Sequence, residues 1–535
     1  MKEKNILIRS FIRNPDKTRA TRNRMKVFQT GAVWFALSLS FSALTAGTAA
    51  APLGASAGAA ALIIGQLTGG FLLYLAGRNG EKNGKKSMES SALSFGQAGS
   101  SFFAVLNLIQ LTGWSAFLIR ESSDLISEMI PGMSDSVLPA AAEHIFRIVL
   151  TGGLILLLLA GAANKLSLIC IPAALIMIVL LILLCLQITE NSGSFSFSGY
   201  RAAFGDVVAL SASLPLFWIP VIADYTSSFS GKKDTVPVPG SVSSRAAAVA
   251  ASAFTAGGCA AGLIGMFAAL RFPDIPVIFA SSGFTAAGVL LILIPAVLSA
   301  LFCLQAAGVN SVFICDKIDA KKSSVAAGIF SVLLAAAVPA GQLAPFLRFI
   351  AAAFLPMTAI VTADIFPAGC RRKKDADSQA AEKIRISNVI LWIFGFFLFQ
   401  FFIRHTTPLG SALPAFLLIY AACGAVRYLL RHSGELVRAW RLKFLRLALR
   451  PAAEADGDTN TNTNTNMNIN VNANSNASIN SDTDANAAGS AAEKTAAVPD
   501  AADPGNGDRK AQAVSLSAEK TDDTEDPAEN KETGH

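Results

Sequence analysis

The residues best suited to chemistry sit inside long apolar runs. Asn107, Gln110 and Trp114 fall at i, i+3 and i+7 within the segment LNLIQLTGW (106–114), so on a helix they share one face. Polar side chains in such a segment turn toward a bundle interior or a cavity. Trp114 and Trp218 both lie mid-run, away from the interfacial belt where tryptophan usually collects. Two deep indoles beside amides suit a flat, polar, heteroaromatic ligand, with large-residue core packing as the competing explanation. Stacking on an aromatic side chain is worth about 1–3 kcal/mol per base. Two such faces and a few edge hydrogen bonds reach the roughly −8 kcal/mol of a micromolar complex.

Two stretches look unable to hold regular helix. Residues 38–48 read SLSFSALTAGT, rich in hydroxyls around Gly47, and run on to Pro52. Residues 211–220 contain Ser211, Ser213, Pro215, Phe217, Trp218 and Pro220. Each proline removes a backbone donor and clashes with a preceding carbonyl. Interrupted helices at membrane depth expose main-chain N–H and C=O groups that can hold a solute or an ion. The competing explanation is hydroxyls bonded back within their helices and simple proline kinks.

Other chemistries are poorly supplied. The histidines, His144, His405, His432 and His535, stand at segment edges, in loops or at the end of the chain, and no paired carboxylates lie inside an apolar run. An enzyme is therefore not expected. The seven cysteines form no CxxC, and none of them falls in a segment on the side opposite the N-terminus, so neither a disulfide framework nor a metal centre is expected.

The elements that must position these residues follow from composition. Of 535 residues, 52% are apolar and only 15% charged, against about 25% charged in a typical soluble chain. A helix needs roughly 20 mainly apolar residues to cross the hydrocarbon core. Twelve segments qualify: 30–52, 56–78, 99–120, 142–162, 166–188, 206–226, 246–270, 284–310, 325–341, 345–367, 386–403 and 412–431. They are too long and too unalternating for barrel strands, so the expected fold is all-α. With the N-terminus in the cytoplasm, 33 Lys and Arg fall on cytoplasmic segments and only six, from Arg120 to Arg404, on or near the other side. That asymmetry predicts a cell-membrane protein with both termini inside. Spans 1 and 6, the two interrupted ones, are five apart and run oppositely, as two inverted five-helix halves require.

The remaining segments divide simply. Residues 1–29 form a basic arm with nine Lys and Arg and no cleavage site; residues 30–431 are the twelve-span domain. Residues 432–450 alternate Leu and Trp with cations, the pattern of an amphipathic helix on the inner leaflet. Residues 451–535 open on an Asn-rich tract and carry 16 acidic against 5 basic residues, a composition expected to be a disordered cytoplasmic tail.

Several ordered segments resemble the nucleobase:cation symporter-1 family, in particular its hydroxymethylpyrimidine-permease branch, relatives of cytosine permease. They are Trp34-Phe35 with Ala51-Pro52-Leu53-Gly54, SMESSALSFGQAGS (87–100), LNLIQLTGW (106–114), SLPLFWIPVIADYTS (213–227) and PMTAIVTADIF (356–366). The resemblance implies ten core helices and two peripheral ones in the amino-acid/sodium-symporter arrangement, with a ring held between Trp114 and Trp218. The substrate set it implies is Trp114, Trp218, Gln110, Asn107, Phe217 and Ala43. Where members bind sodium, span 1 carbonyls and span 8 hydroxyls hold it; the matching positions are Leu39, Ser42 and Ser299. The chain departs from the branch at Ala43, where an acid is common, and in span 8, which offers Ser299 with Cys303, Ala306 and Asn310 along one face. A hard cation takes several oxygen ligands, so either Na+ or H+ is the expected coupling ion.

The expectation is a monomeric permease that imports a pyrimidine or nucleobase-like compound, hydroxymethylpyrimidine first. Its partners are that small molecule and the bilayer, with no cofactor and no nucleic acid. Another solute such as an amino acid on the same fold, or a non-transporting sensor or scaffold, are the alternatives.

Overall fold

In the computed structural model the described residues are 15–129, 140–162, 166–190, 203–229, 245–272, 275, 278–279, 283–337, 343–366 and 384–429. The predicted surface helix at 432–450, the acidic tail and residues 1–14 of the basic arm lie outside them. Each of the twelve apolar segments is helical over its described residues. Span 1 is the pair Met25–Ser38 and Phe41–Leu53, bent by 49°. The others are Ala55–Asn83, Ser87–Ser127, Ala142–Gly161, Ile169–Thr189, Phe204–Phe229, Ala246–Ala269, Thr285–Ile314, Ala320–Ala337, Arg348–Ile365, Ile386–Arg404 and Ala412–Leu429. Helix is the state that satisfies every backbone group of a segment within hydrocarbon. The chain is a polytopic membrane protein.

Packing follows the expected two-fold plan. Span 2 lies along spans 6 and 7, and span 7 along spans 1 and 2. Spans 3, 4, 8 and 9 form a second group, with span 3 against span 8 as its longest contact. Span 5 packs on spans 1, 7 and 8, and span 10 on spans 6, 2 and 3. Moving every number by five maps this set of neighbours onto itself, which is the signature of an inverted repeat. Span 11 sits outside on span 10, and span 12 is tied to it by the Tyr420 hydroxyl donating to Phe366 O at 2.6 Å.

Glycine lets the repeat-related spans 2 and 7 do the same job. A Cβ at Gly65 or Gly69 would run into the span 6 backbone at Val208 O or Ala212 O, and one at Gly265 would overlap Leu44 O of span 1. Close backbone approach through small residues four apart is how helices associate where no hydrophobic drive exists between them.

The two interruptions differ. Span 1 breaks at Leu39–Ser40, not around Gly47, which is buried within the second half-helix. Span 6 is only nicked: Trp218 joins Phe204–Phe217 to Ile219–Thr226 with φ −88° and ψ −3°. The Trp218 N–H reaches Pro215 O at 3.2 Å, a tightened turn in place of the unwound stretch the two prolines predict. Span 3 is preceded by a further helical stretch outside the apolar segment 99–120. Residues from Ser87 onward are already helical, and Gly96 at φ 77° turns this helix into the span.

On the face that carries the N-terminus, Asp364 knots four elements together. It pairs with Arg427 at 3.0 Å and Arg385 at 4.0 Å, and accepts from Asn388 Nδ2 at 3.2 Å. The same Asn388 amide donates to Ser94 O at 2.6 Å. Removing one partner of a buried ion pair strands the other, a loss of about 3–5 kcal/mol. Asp364→Asn should therefore lower the unfolding temperature of the detergent-solubilised protein clearly, and adding Arg427→Met should recover part of that loss. An unchanged temperature in the single variant would rule the knot out.

Candidate substrate cavity

A cavity lies at the break in span 1. The break supplies Ser38, Ser40 and Ser42; span 3 supplies Trp114, span 6 Phe217 and Trp218, and span 8 Ser299. Phe254 and Gly258 of span 7 close the side. The space open to the centre of a water molecule is about 20 Å³, room for one or two waters. A six-membered ring enters only when these spans part or the aromatic side chains turn.

The local sequence explains the hydroxyl-rich wall. Ser40 takes extended dihedrals (φ −92°, ψ 152°) and caps the second half-helix, its Oγ accepting the Ala43 N–H at 3.1 Å. Serine is among the preferred residues at that position because its short side chain reaches a donor the helix leaves unpaired. The Ser38 hydroxyl donates to Phe35 O at 2.7 Å, and the missing Cβ of Gly257 makes room for it. The Ser42 hydroxyl is buried with no partner, the kind of orphan that points to a ligand.

The aromatic side chains crowd one another. Phe217 lies 4.7 Å from Trp114 at an interplanar angle of 35° and stands edge-on to Trp218 at 5.1 Å and 88°. The two indole planes are therefore at least 53° from parallel. In this conformation Trp114 and Trp218 share the cavity wall but do not face each other as plates, and Phe217 covers a face of Trp114. Trp34, fully buried with its N–H unpartnered, braces Trp218 edge-on at 5.8 Å.

Of the expected site residues, Trp114, Phe217, Trp218, Ser42 and Ser299 line one cavity. Gln110 does not line it: its Nε2 donates to Phe217 O at 2.7 Å, fixing the backbone at the nick in span 6. Asn107 is fully buried elsewhere on span 3, with neither amide atom bonded. Ala43 and Leu39 are buried off the wall. Sequence reasoning passed over Ser38, Ser40 and Phe254 as wall residues. The serines were visible as a cluster, but only the position of the break says which of them face inward.

A cation here would meet neutral oxygens, the hydroxyls of Ser38, Ser40, Ser42 and Ser299; among the described residues no carboxylate lines the wall. The Ser42 carbonyl lies within the second half-helix and also accepts from Thr45 Oγ1 at 3.1 Å, so the hydroxyls are the oxygens this wall offers an ion. This donor set fits a monovalent ion better than a divalent one, whose charge calls for carboxylates.

Among solved structures, the chain is similar to Mhp1, a nucleobase-cation-symport-1 family transporter, in a closed conformation with bromovinylhydantoin bound. The TM-score is 0.61 at 15% identity, over 76% of this chain and 92% of that one. Mhp1 in its inward-facing conformation gives 0.57 at 16% identity, over 76% and 91%. No family model matches the chain, and no curated protein does. At these identities the likeness establishes the fold.

Proposed function

We propose that the chain is a monomeric secondary transporter, not an enzyme, which imports a pyrimidine or other nucleobase-like compound by alternating access. The carrying observation is the cavity itself: three aromatic side chains from spans 3 and 6 meet the serine hydroxyls at a broken span 1, that of Ser42 unpaired, with no charged group among the described wall residues. Such a wall suits a neutral, planar, hydrogen-bonding ring. The fold supports the same reading, because it is shared with a transporter recorded with bromovinylhydantoin bound. Hydroxymethylpyrimidine is the first substrate to test, followed by cytosine. The Lys/Arg bias puts both termini in the cytoplasm of a cell-membrane protein.

The work divides among the residues. Trp114 and Trp218 supply aromatic faces, and the serines at the break supply edge hydrogen bonds. Gln110 holds the Phe217 carbonyl, so the aromatic pair of span 6 keeps its place while span 1 moves. A coupling sodium ion would sit against Ser42 and Ser299. Proton coupling would need a group away from this wall, and the nearest acids are engaged: Asp364 by its arginines and Asp224 by the Ser87 N–H at 2.8 Å. One charge crossing 100 mV is worth about 2.3 kcal/mol, enough for roughly 50-fold accumulation of a neutral solute.

Uptake of radiolabelled hydroxymethylpyrimidine and cytosine into proteoliposomes tests this, with sodium and proton gradients imposed separately. Saturable uptake, blocked by competing pyrimidines and driven by one gradient, is expected. Saturable uptake of an amino acid that pyrimidines do not block would reject the substrate class.

A further inference from the structure

We propose that a second cavity, on the face carrying the N-terminus between spans 2, 6 and 10, binds a monovalent cation through Asn79, Thr358 and Ser87. It is walled by these residues with Ile219, Ala223 and Met357, and lies across span 6 from the substrate cavity, whose wall ends at Trp218. Three of its polar atoms are buried without a hydrogen-bond partner: Asn79 Oδ1, Thr358 Oγ1 and Ser87 Oγ. All three side chains are more than nine-tenths buried or close to it, with Asn79 and Thr358 each 3% exposed and Ser87 8%. Leaving one such group unsatisfied costs about 1–3 kcal/mol, so three around one small cavity point to something that binds them.

The chemistry selects a cation. Asn79 commits its Nδ2 to Thr362 Oγ1 at 3.1 Å, which leaves the carbonyl oxygen as its free atom. Both hydroxyls can turn a lone pair inward at the same time as that carbonyl. Behind Ser87, the Asp224 carboxylate accepts the Ser87 N–H at 2.8 Å, and no described Lys or Arg forms an ion pair with it. Of the neighbouring cations, Lys82 is engaged with Ile365 O at 2.6 Å and Arg78 with Glu81 at 2.8 Å, while Lys86, next to Ser87, is exposed outside the cavity wall. An anion is thus disfavoured, while the free space of about 20 Å³ excludes an organic ligand and admits one small ion or a water or two.

Thermal unfolding of the purified full-length protein tests the proposal, with sodium, potassium and lithium chloride titrated against choline chloride at constant ionic strength. The expected result is a saturable rise of about 2–4 °C with at least one alkali ion. Thr358→Val deletes an unpartnered hydroxyl and Ser87→Ala one that lies beside the Asp224 carboxylate, whose bond from the Ser87 N–H is kept, so both should fold. Each should lose the cation-dependent rise while matching or exceeding the parent in choline. Ser299→Ala, at the substrate cavity, should keep the rise. The proposal is overturned if no alkali ion shifts the parent, if the rise survives in both Thr358→Val and Ser87→Ala, or if Ser299→Ala abolishes it. A cavity filled by water alone would make Thr358→Val the more stable protein in every salt. The assay needs neither substrate nor transport, so its failure is distinct from a failure of the substrate assignment.

Discussion

Trp114→Ala should raise the KM for the pyrimidine by about 5- to 150-fold, the range that the loss of 1–3 kcal/mol of stacking gives. Trp218→Ala should do at least as much, because it also removes the ring that Phe217 and Trp34 brace. Trp114→Phe keeps an aromatic face and should retain most of the uptake. The geometry adds a sharper discriminator. Phe217 covers a face of Trp114 in the closed cavity, so a guest that stacks there must first displace it. Phe217→Ala removes that competitor and should leave KM unchanged or lower it, the opposite direction from Trp114→Ala. Initial uptake rates in proteoliposomes, normalised to folded protein, decide the matter. If both tryptophan variants transport with the parent KM, the indoles are core packing and the stacking proposal is wrong.

How much of this was readable in the chain depends on which physics sets each feature. Span number follows from composition, and each of the twelve segments appears as a helix because the bilayer leaves the backbone little alternative. The inverted pairing was legible from two interrupted spans set five apart, although their depth of interruption was misjudged. Two prolines predicted an unwound span 6, yet Pro215 and Pro220 are absorbed by a single tightened turn at Trp218. One serine at an extended position, Ser40, gives span 1 the larger break. Proline signals a missing donor, but the neighbouring helices decide whether the chain bends there. The helical spacing of Asn107, Gln110 and Trp114 was right, yet a shared face is broad. Only Trp114 reaches the cavity, while Gln110 is drawn to the Phe217 carbonyl. The glycines of spans 2 and 7 went unread, though Gly65 and Gly69, and Gly258 and Gly262, stand four apart, the spacing of close helix contact.

The glycine contact between spans 1 and 7 carries the other large effect. Gly47→Ala should destabilise the protein by about 3 kcal/mol, the upper end of ordinary overpacking. The added methyl would overlap Gly262 O and lie 2.9 Å from Met266 N. Gly265→Ala meets the same contact from the other side, overlapping Leu44 O and approaching the Leu44 carbonyl carbon at 2.7 Å. In both cases the obstacle is backbone, which cannot rotate away as a side chain does, so the second half of span 1 must move off span 7. That half-helix carries Ser42, and Ser40 caps it, so the displacement also pulls the hydroxyl wall out of register. Uptake per folded molecule should fall together with the unfolding temperature. The double variant should cost less than the sum of the singles, because one separation of the helices relieves both overlaps. Gly161→Ala is the control: no described residue lies within 4 Å of its added methyl, and alanine for glycine inside a helix is worth roughly 0.5–1 kcal/mol of stability. If Gly47→Ala unfolds at the parent temperature and transports normally, spans 1 and 7 are not in backbone contact, and a substrate wall built on the break in span 1 loses its support.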